Sequence, residues 1–117
     1  MTGLLDGHLA FVTGGGSGIG QGIAEGYARE GARVIAADVN LVGAEETARH
    51  VKDAGGEAWA MKLDVTDMQG VQSMARKVEA GIGPVSILVN NAGIVRRATI
   101  DSGNAIDDWN DTVAVNI

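Results

Sequence analysis

A glycine-rich turn near the N-terminus constrains the fold of this chain more than any other feature. The apolar run Phe11-Val12-Thr13 leads into Gly14-Gly15-Gly16-Ser17-Gly18-Ile19-Gly20, where an amphipathic pattern begins. A strand that passes through such a turn into a helix N-terminus presents backbone N–H groups to a phosphate. Gly14 permits the tight turn, Gly18 lets a pyrophosphate approach the backbone, and Gly20 lets the helix pack close to its strand. The pattern predicts a phosphate-binding turn.

The spacing of these glycines is T-G-x-x-x-G-x-G, and no set of glycines in the chain fits the commoner dinucleotide pattern G-x-G-x-x-G. Because the chain carries 18 glycines, a flexible surface loop is the alternative interpretation. The residues that follow the turn decide between the two.

Apolar periodicity divides the chain into alternating strands and helices. Strands are predicted at residues 8–13, 33–37, 57–63 and 85–89, the third of them less apolar, as an edge strand tends to be. Helices are predicted at 18–30, from the cap Asn40 to about residue 54, and from the cap Asp67 to residue 81. After a loop at 94–105, a fourth helix is expected to begin near Trp109 and to place Val113 and either Asn116 or Ile117 on one face.

This order of elements predicts the α/β class, with a Rossmann-type doubly wound parallel sheet. The sheet is expected to be incomplete, with four strands in the order 3-2-1-4 and flanking helices. Residues 1–117 then form a single dinucleotide-binding domain that ends inside the fourth helix.

Composition excludes several other classes of function. The net charge of -6 disfavours nucleic acid and acidic membrane surfaces as partners, since both require clustered positive charge. There is no cysteine, and His8 and His50 lack ligand-like spacing, so no metal site is expected. No segment approaches the length of a membrane span, and no basic stretch precedes an apolar run, so a cytoplasmic protein is the default expectation.

A second group of polar residues lies just past the predicted strand ends. Asp38 follows Gly20 by 18 positions, about where a carboxylate accepts hydrogen bonds from an adenosine ribose. It would repel a 2′-phosphate, and neither Ser17, Val39 nor Asn40 supplies a cation to hold one, so NAD is favoured over NADP. A solvated loop carboxylate is the alternative for Asp38. Asp64, with Val65, either contacts the adenine or merely begins the third helix.

Taken together, these motifs resemble the N-terminal half of the short-chain dehydrogenases/reductases. The matching residues are Thr13-Gly14-x-x-x-Gly18-Ile19-Gly20, Asp38, Asp64-Val65, Asn90-Asn91-Ala92-Gly93 and Val115-Asn116-Ile117. The resemblance implies a pyrophosphate at Gly14–Gly20, a ribose at Asp38 and an adenosine flanked by the turn after the fourth strand, to which Thr13 would bond. Asn116 would match an asparagine that supports catalysis by holding a proton-relay water. The implied cofactor-binding residues are Thr13, Gly14, Gly16, Ser17, Gly18, Ile19, Gly20, Asp38, Val39, Asp64, Val65, Asn91, Ala92 and Gly93.

The match also has a gap. The family's chemistry depends on a Ser and a Tyr-x-x-x-Lys, and the sole tyrosine here, Tyr27, has Gly31 four positions later. We therefore expect these residues to be a cofactor-binding fragment that is inactive alone. In such a fragment the apolar strand 85–89 would form an exposed edge, and two copies would pair through this edge, or through the exposed faces of the fourth helix, as a homo-oligomer.

The resemblance implies an NAD-dependent oxidoreductase that transfers a hydride between the cofactor and a small alcohol or carbonyl substrate. Arg96-Arg97 resembles the corresponding run in sugar-acid dehydrogenases, although two solvated loop arginines are the plainer interpretation. A dinucleotide-binding fragment or sensor without catalysis is the alternative function. A methyl-donor site would also use a glycine turn and an acid, but the Asn90 turn and Val115-Asn116 argue against it. A P-loop is excluded because no Gly-Lys-Ser/Thr occurs.

Overall fold

The computed structural model describes residues 3–91 and, for the backbone alone, residues 114–116. Strands and helices alternate through residue 90, as the apolar periodicity predicts. The elements are β1 (Leu9–Thr13), α1 (Gly18–Arg29), β2 (Arg33–Asp38), α2 (Leu41–Asp53), β3 (Ala58–Lys62), α3 (Met68–Gly81), β4 (Ile87–Asn90) and β5 (Ala114–Asn116).

The strands form one parallel sheet in the order β3-β2-β1-β4-β5. Phe11 of β1 pairs with Ile35 of β2 on one side and with Leu88 of β4 on the other. The predicted order 3-2-1-4 is confirmed, and β3 lies at an edge as its lower apolarity indicates. In this order β1 and β4 are neighbours whose chain connections run to opposite sides, which makes their carboxyl ends the place where such sheets bind ligands.

The fifth strand corrects one prediction. Residues 114–116 were expected in a helix, but they pair in parallel with β4, with Asn116 opposite Asn90. An apolar strand such as β4 needs partners for its outward-facing backbone groups, and this need outweighs the helical spacing that Asn116 shares with Trp109. Strand β4 is therefore internal to the sheet, and the expectation that two copies pair through its exposed edge is wrong.

Each of the three helices in residues 3–91 begins at a polar cap that reaches a glycine three residues later. The side chains of Ser17, Asn40 and Asp67 accept hydrogen bonds from the N–H groups of Gly20, Gly43 and Gly70 at 3.1, 3.2 and 3.1 Å. A cap of this kind stabilises a helix by about 1 kcal/mol. The predicted caps Asn40 and Asp67 are thus confirmed.

The sheet buries both of its faces. On one face Phe11 and Leu88 pack with Val71 and Val78 of α3. On the other, Val12 packs with α1 and β4, in the cluster Ala10, Val12, Ala24, Ala32, Val34, Ile87 and Val89. Tyr27 is packed against this second cluster, as a helix-face residue. Among the described residues no helix is long and apolar enough to cross a membrane.

Candidate functional site

The glycine turn between β1 and α1 is held by hydrogen bonds of its own. Gly14 has φ of 65°, a left-handed conformation that suits glycine. The Ser17 hydroxyl donates to the Gly14 carbonyl at 2.9 Å and accepts the Gly20 N–H at 3.1 Å. Because the first N–H groups of a helix have no acceptor within it, those of Gly18 and Ile19 are available to an anion beside the turn.

Two glycines of the turn differ sharply in the space around them. A Cβ at Gly20 would lie 2.8 Å from the Gly14 carbonyl carbon and 2.9 Å from Asn91 Nδ2, so the helix start is packed directly on the turn. A Cβ at Gly18 would meet nothing within 4 Å. The turn therefore has a packed side at Gly20 and an open side at Gly18, as the spacing of the glycines predicts.

The end of β4 is joined to the turn through two polar side chains. Thr13 Oγ1 donates to the Val89 carbonyl oxygen at 3.3 Å and lies 3.3 Å from Asn90 Oδ1. Asn91 Nδ2 donates to the Gly14 carbonyl at 3.2 Å. The predicted bond from Thr13 to the end of the fourth strand is present, and Asn91 contacts the same carbonyl that Ser17 holds.

Asp38, the last residue of β2, lies directly against the glycine turn. Its Oδ2 accepts the Gly16 N–H at 2.9 Å, and its Oδ1 accepts the Asn40 N–H at 2.9 Å. The side chain is half-buried. Each carboxylate oxygen keeps a further lone pair, so the group can accept hydrogen bonds from a ligand while the two N–H groups fix its orientation.

Asp64 lies after β3, on a solvent-exposed turn. Its Oδ1 accepts the Thr66 hydroxyl at 2.6 Å and the Thr66 N–H at 2.9 Å. These two hydrogen bonds, the hydroxyl first, lower the pKa of the Asp64 carboxyl from its usual value. Both hydrogen bonds to this carboxylate come from a residue two positions later in the chain. The neighbouring Val65 packs against the core. Contact with an adenine stays a prediction for both residues.

Two large apolar side chains are exposed close to the turn and to Asp38. Ile19 is 69% exposed and Val39 is 59% exposed. The sequence places both among the cofactor-binding residues, and their exposure leaves them accessible to a ligand. Of the other predicted site residues, Ala92 and Gly93 lie outside the described residues, as does the pair Arg96-Arg97. Asn116 is described through its backbone alone, in β5.

Thr47 was not predicted as a site residue, yet it contacts the turn directly. It is fully buried in α2, and its Oγ1 donates to the Gly15 carbonyl at 2.6 Å. The sequence carries a signal for it, since a threonine at the helical spacing of Ala44 and Val51 falls on the buried stripe and needs a polar partner there. The periodicity does not say which carbonyl that partner is.

The two histidines lie away from the turn. His8 Nδ1 is hydrogen-bonded to the Ser86 hydroxyl at 2.9 Å, at the opposite end of β1. His50 contacts Gln21 and lies 3.4 Å from Glu25, between α1 and α2. Across the described ranges 3–91 and 114–116, no three His, Asp or Glu side chains form a group that could hold a metal ion.

Comparison with known proteins places this geometry in a family. The sequence model described as short chain dehydrogenase matches residues 8–117, which is nearly the whole chain. The chain belongs to the short-chain dehydrogenase family. Its relatives include the D-threitol dehydrogenase of Mycolicibacterium smegmatis, 42% identical over 113 residues, which cover 97% of this chain and 43% of that protein. They also include the 7α-hydroxysteroid dehydrogenase of Escherichia coli, 40% identical over 76% of this chain and 35% of that protein.

Solved structures of short-chain dehydrogenases have the same fold. A 7α-hydroxysteroid dehydrogenase in complex with NADH and 7-oxo glycochenodeoxycholic acid matches with a TM-score of 0.71 at 38% identity, over 74% of this chain and 34% of that one. A hydroxysteroid dehydrogenase from Escherichia coli matches with a TM-score of 0.70. The chain thus spans less than half the length of these short-chain dehydrogenases. The Rossmann-type fold predicted from the glycine turn is confirmed.

Proposed function

We propose that this chain is the cofactor-binding part of an oxidoreductase that uses NAD(H) and acts on a small alcohol or carbonyl substrate. The observation that carries the proposal is the position of Asp38, whose carboxylate is held against the glycine turn by the Gly16 N–H. A carboxylate at the end of the second strand suits the two hydroxyls of an adenosine ribose. The two relatives described above are both named as dehydrogenases, which supports the same reaction class.

The residues of the turn fit a dinucleotide. The open space beside Gly18 is large enough that an added Cβ would touch nothing, which leaves room for a pyrophosphate at the start of α1. The N–H groups of Gly18 and Ile19 would donate to the pyrophosphate oxygens. The exposed Ile19 and Val39 side chains would cover the apolar parts of the dinucleotide. Asp64, Val65, Asn91, Ala92 and Gly93 complete the proposed site on the adenosine side. A bound nicotinamide would supply the acceptor or donor of the hydride.

Charge supports NAD over NADP. A 2′-phosphate on the ribose would lie beside the Asp38 carboxylate and be repelled by it. The residues that follow, Val39 and Asn40, bring no cation to offset this repulsion. The solved NADH complex is that of a related enzyme. We extend its cofactor to this chain because the Asp38 carboxylate suits the ribose of NAD(H).

The substrate is proposed at a coarser level. Polyols and hydroxysteroids are named for the relatives, and they share a secondary alcohol that a hydride transfer would oxidise to a ketone. A sugar acid as the substrate rests on Arg96-Arg97, whose guanidinium groups would pair with a carboxylate. Tyr27 is a residue of α1 that packs against the core, and the residue four positions later is Gly31 and not a lysine, so we propose that these 117 residues bind the cofactor without turning over a substrate. The alternative is a dinucleotide sensor.

A titration with NADH and NADPH tests the proposal. The unchanged chain is expected to bind NADH more tightly than NADPH. Asp38→Ala should raise the NADH dissociation constant about tenfold or more, because a hydrogen bond to a charged group contributes about 1.5–3 kcal/mol, and it should reduce the preference over NADPH.

Asp53→Ala serves as the control, because it removes the same charge from the exposed last residue of α2. It should leave the preference unchanged. Two outcomes would contradict the proposal: no fluorescence change at millimolar NADH, or a preference that is the same in the Asp38 and Asp53 variants.

A further inference from the structure

We propose that Thr47 is a positioning residue that fixes the Gly15–Gly16 peptide and thereby aims the Gly16 N–H at the Asp38 carboxylate. The inference rests on the proposed NAD(H) function and extends it to the neighbouring helix. It assigns to α2 a part in setting the cofactor preference, through a side chain that need not touch the cofactor.

The first observation is a single peptide plane held from two sides. The Gly15 carbonyl and the Gly16 N–H belong to the same planar unit. The carbonyl accepts the Thr47 hydroxyl at 2.6 Å, and the N–H donates to Asp38 Oδ2 at 2.9 Å. Helix α2 thus holds one end of the peptide, and the end of β2 holds the other.

The second observation is that both residues of this peptide are glycine. With no Cβ on either side, the plane can rotate about its flanking bonds at little steric cost. Its orientation then depends strongly on the hydrogen bonds at its two ends. If the plane turned over, the Gly15 carbonyl oxygen would face the Asp38 carboxylate, and the two negative groups would repel each other.

The Thr47 hydroxyl is committed to this carbonyl. It also lies 3.2 Å from the Gly43 carbonyl, one helical turn earlier, which already accepts the backbone N–H of Thr47 within the helix. A hydroxyl has one proton to donate, and the shorter contact is to Gly15. Since Thr47 is fully buried, water cannot replace the hydroxyl without opening the contact between α2 and the turn.

The packing around this peptide brings the three parts close together. A Cβ at Gly43 would lie 2.9 Å from the Gly16 carbonyl oxygen, so the first turn of α2 rests on the backbone of the glycine turn. A Cβ at Gly16 would lie 2.8 Å from the Ala44 nitrogen and 3.1 Å from Asp38 Oδ2. Asp38, the glycine turn and α2 therefore meet at the Gly15–Gly16 peptide. The Thr47 hydroxyl supplies a hydrogen bond from the helix to this peptide.

The test compares Thr47→Val, which replaces the hydroxyl by a methyl group, with Thr47→Ser, which keeps it. The first readout needs no cofactor: amide hydrogen exchange of Gly16, measured by NMR on the ligand-free protein. Thr47→Val should speed exchange at Gly16 about tenfold relative to the Gly70 amide, which Asp67 holds on the other face of the sheet. Thr47→Ser should restore the rate to within about twofold.

The second readout is the dissociation constant of NADH and its ratio to that of NADPH. Thr47→Val should raise the NADH constant about tenfold, equivalent to about 1.4 kcal/mol, and lower the preference, with Thr47→Ser close to the unchanged chain. If Thr47→Val does not fold, Thr47→Ala removes the same hydroxyl with less bulk and should give the same results. Gly16 exchange that stays equal in the variants lacking the hydroxyl would overturn the inference. If the unchanged chain does not bind NADH, the proposed function is refuted. The hydrogen-exchange data would still decide whether Thr47 fixes the Gly15–Gly16 peptide.

Discussion

Replacing Gly20 by alanine tests how closely α1 packs on the glycine turn. An alanine in the interior of a helix is normally favoured over glycine by about 0.5–1 kcal/mol. Here the new Cβ would overlap the Gly14 carbonyl group, with its carbon 2.8 Å away, where carbon atoms normally approach to about 3.5–4 Å. The helix start must shift by about 1 Å, and such overpacking costs about 1–3 kcal/mol.

The shift also stretches the Ser17 cap on the Gly20 N–H, which contributes about 1 kcal/mol. With the helix preference subtracted, we expect Gly20→Ala to lower the free energy of unfolding by about 2 kcal/mol. Gly22→Ala is the matched control, because it lies on the same helix and its Cβ would meet nothing within 4 Å. It should raise the free energy of unfolding by about 0.5–1 kcal/mol.

Urea unfolding of the two variants beside the unchanged chain measures both changes. The midpoints of Gly20→Ala and Gly22→Ala should differ by about 1–2 M urea, given the usual slope for a chain of this size. Equal midpoints, or a Gly20→Ala variant more stable than the unchanged chain, would refute the close packing and with it the structural reason for a glycine at position 20.

Two further predictions concern the open side of the turn and the exposed Asp64. Gly18→Ala should leave the free energy of unfolding unchanged or raise it by up to about 1 kcal/mol, yet weaken NADH binding about tenfold, because its methyl group would occupy the open space; unaltered binding would argue against a pyrophosphate there. Thr66→Ala should raise the pKa of the Asp64 carboxyl toward its usual value, since it removes the hydroxyl that donates at 2.6 Å. A lowered carboxyl pKa stabilises the folded state above about pH 4, and this stabilisation is lost as the pH falls through the folded-state pKa. Because the shift is smaller in Thr66→Ala, its acid-induced loss of stability from Asp64 should span a narrower pH range. An NMR titration of the Asp64 carboxyl carbon checks this, and an unmoved midpoint would contradict it.

The order of the sheet could be predicted because few topologies satisfy the sequence pattern. Continuous apolar runs at Phe11 and Leu88 indicate strands buried on both faces, and right-handed parallel crossovers then leave little choice of order. The position of Asp38 beside the glycine turn could be predicted for a related reason, since the carboxyl ends of neighbouring parallel strands lie together. Its hydrogen bond to the Gly16 N–H is the direct result of that arrangement.

The fifth strand and the role of Thr47 could not be predicted because each depends on a partner distant in the chain. A short segment such as Ala114–Asn116 has no period that separates helix from strand, and its pairing with β4 comes from the unsatisfied backbone of that strand. Thr47 lies 32 positions from Gly15, and the packing of α2 on the glycine turn brings that carbonyl to it. For Asp64 the sequence did contain the local signal, because an Asp two residues before a Thr favours the turn that the structure shows.

The short connection between β2 and α2 limits how this protein can be redesigned. Only Val39 and Asn40 separate Asp38 from the first residue of the helix. One inserted residue would have to be absorbed between Asp38 and the cap Asn40 if Gly43 and Thr47 are to keep their contacts with the turn. A change of coenzyme preference is therefore better sought by exchanging side chains at fixed backbone length, for example by placing a cation at position 39, than by lengthening the loop to make room for a phosphate.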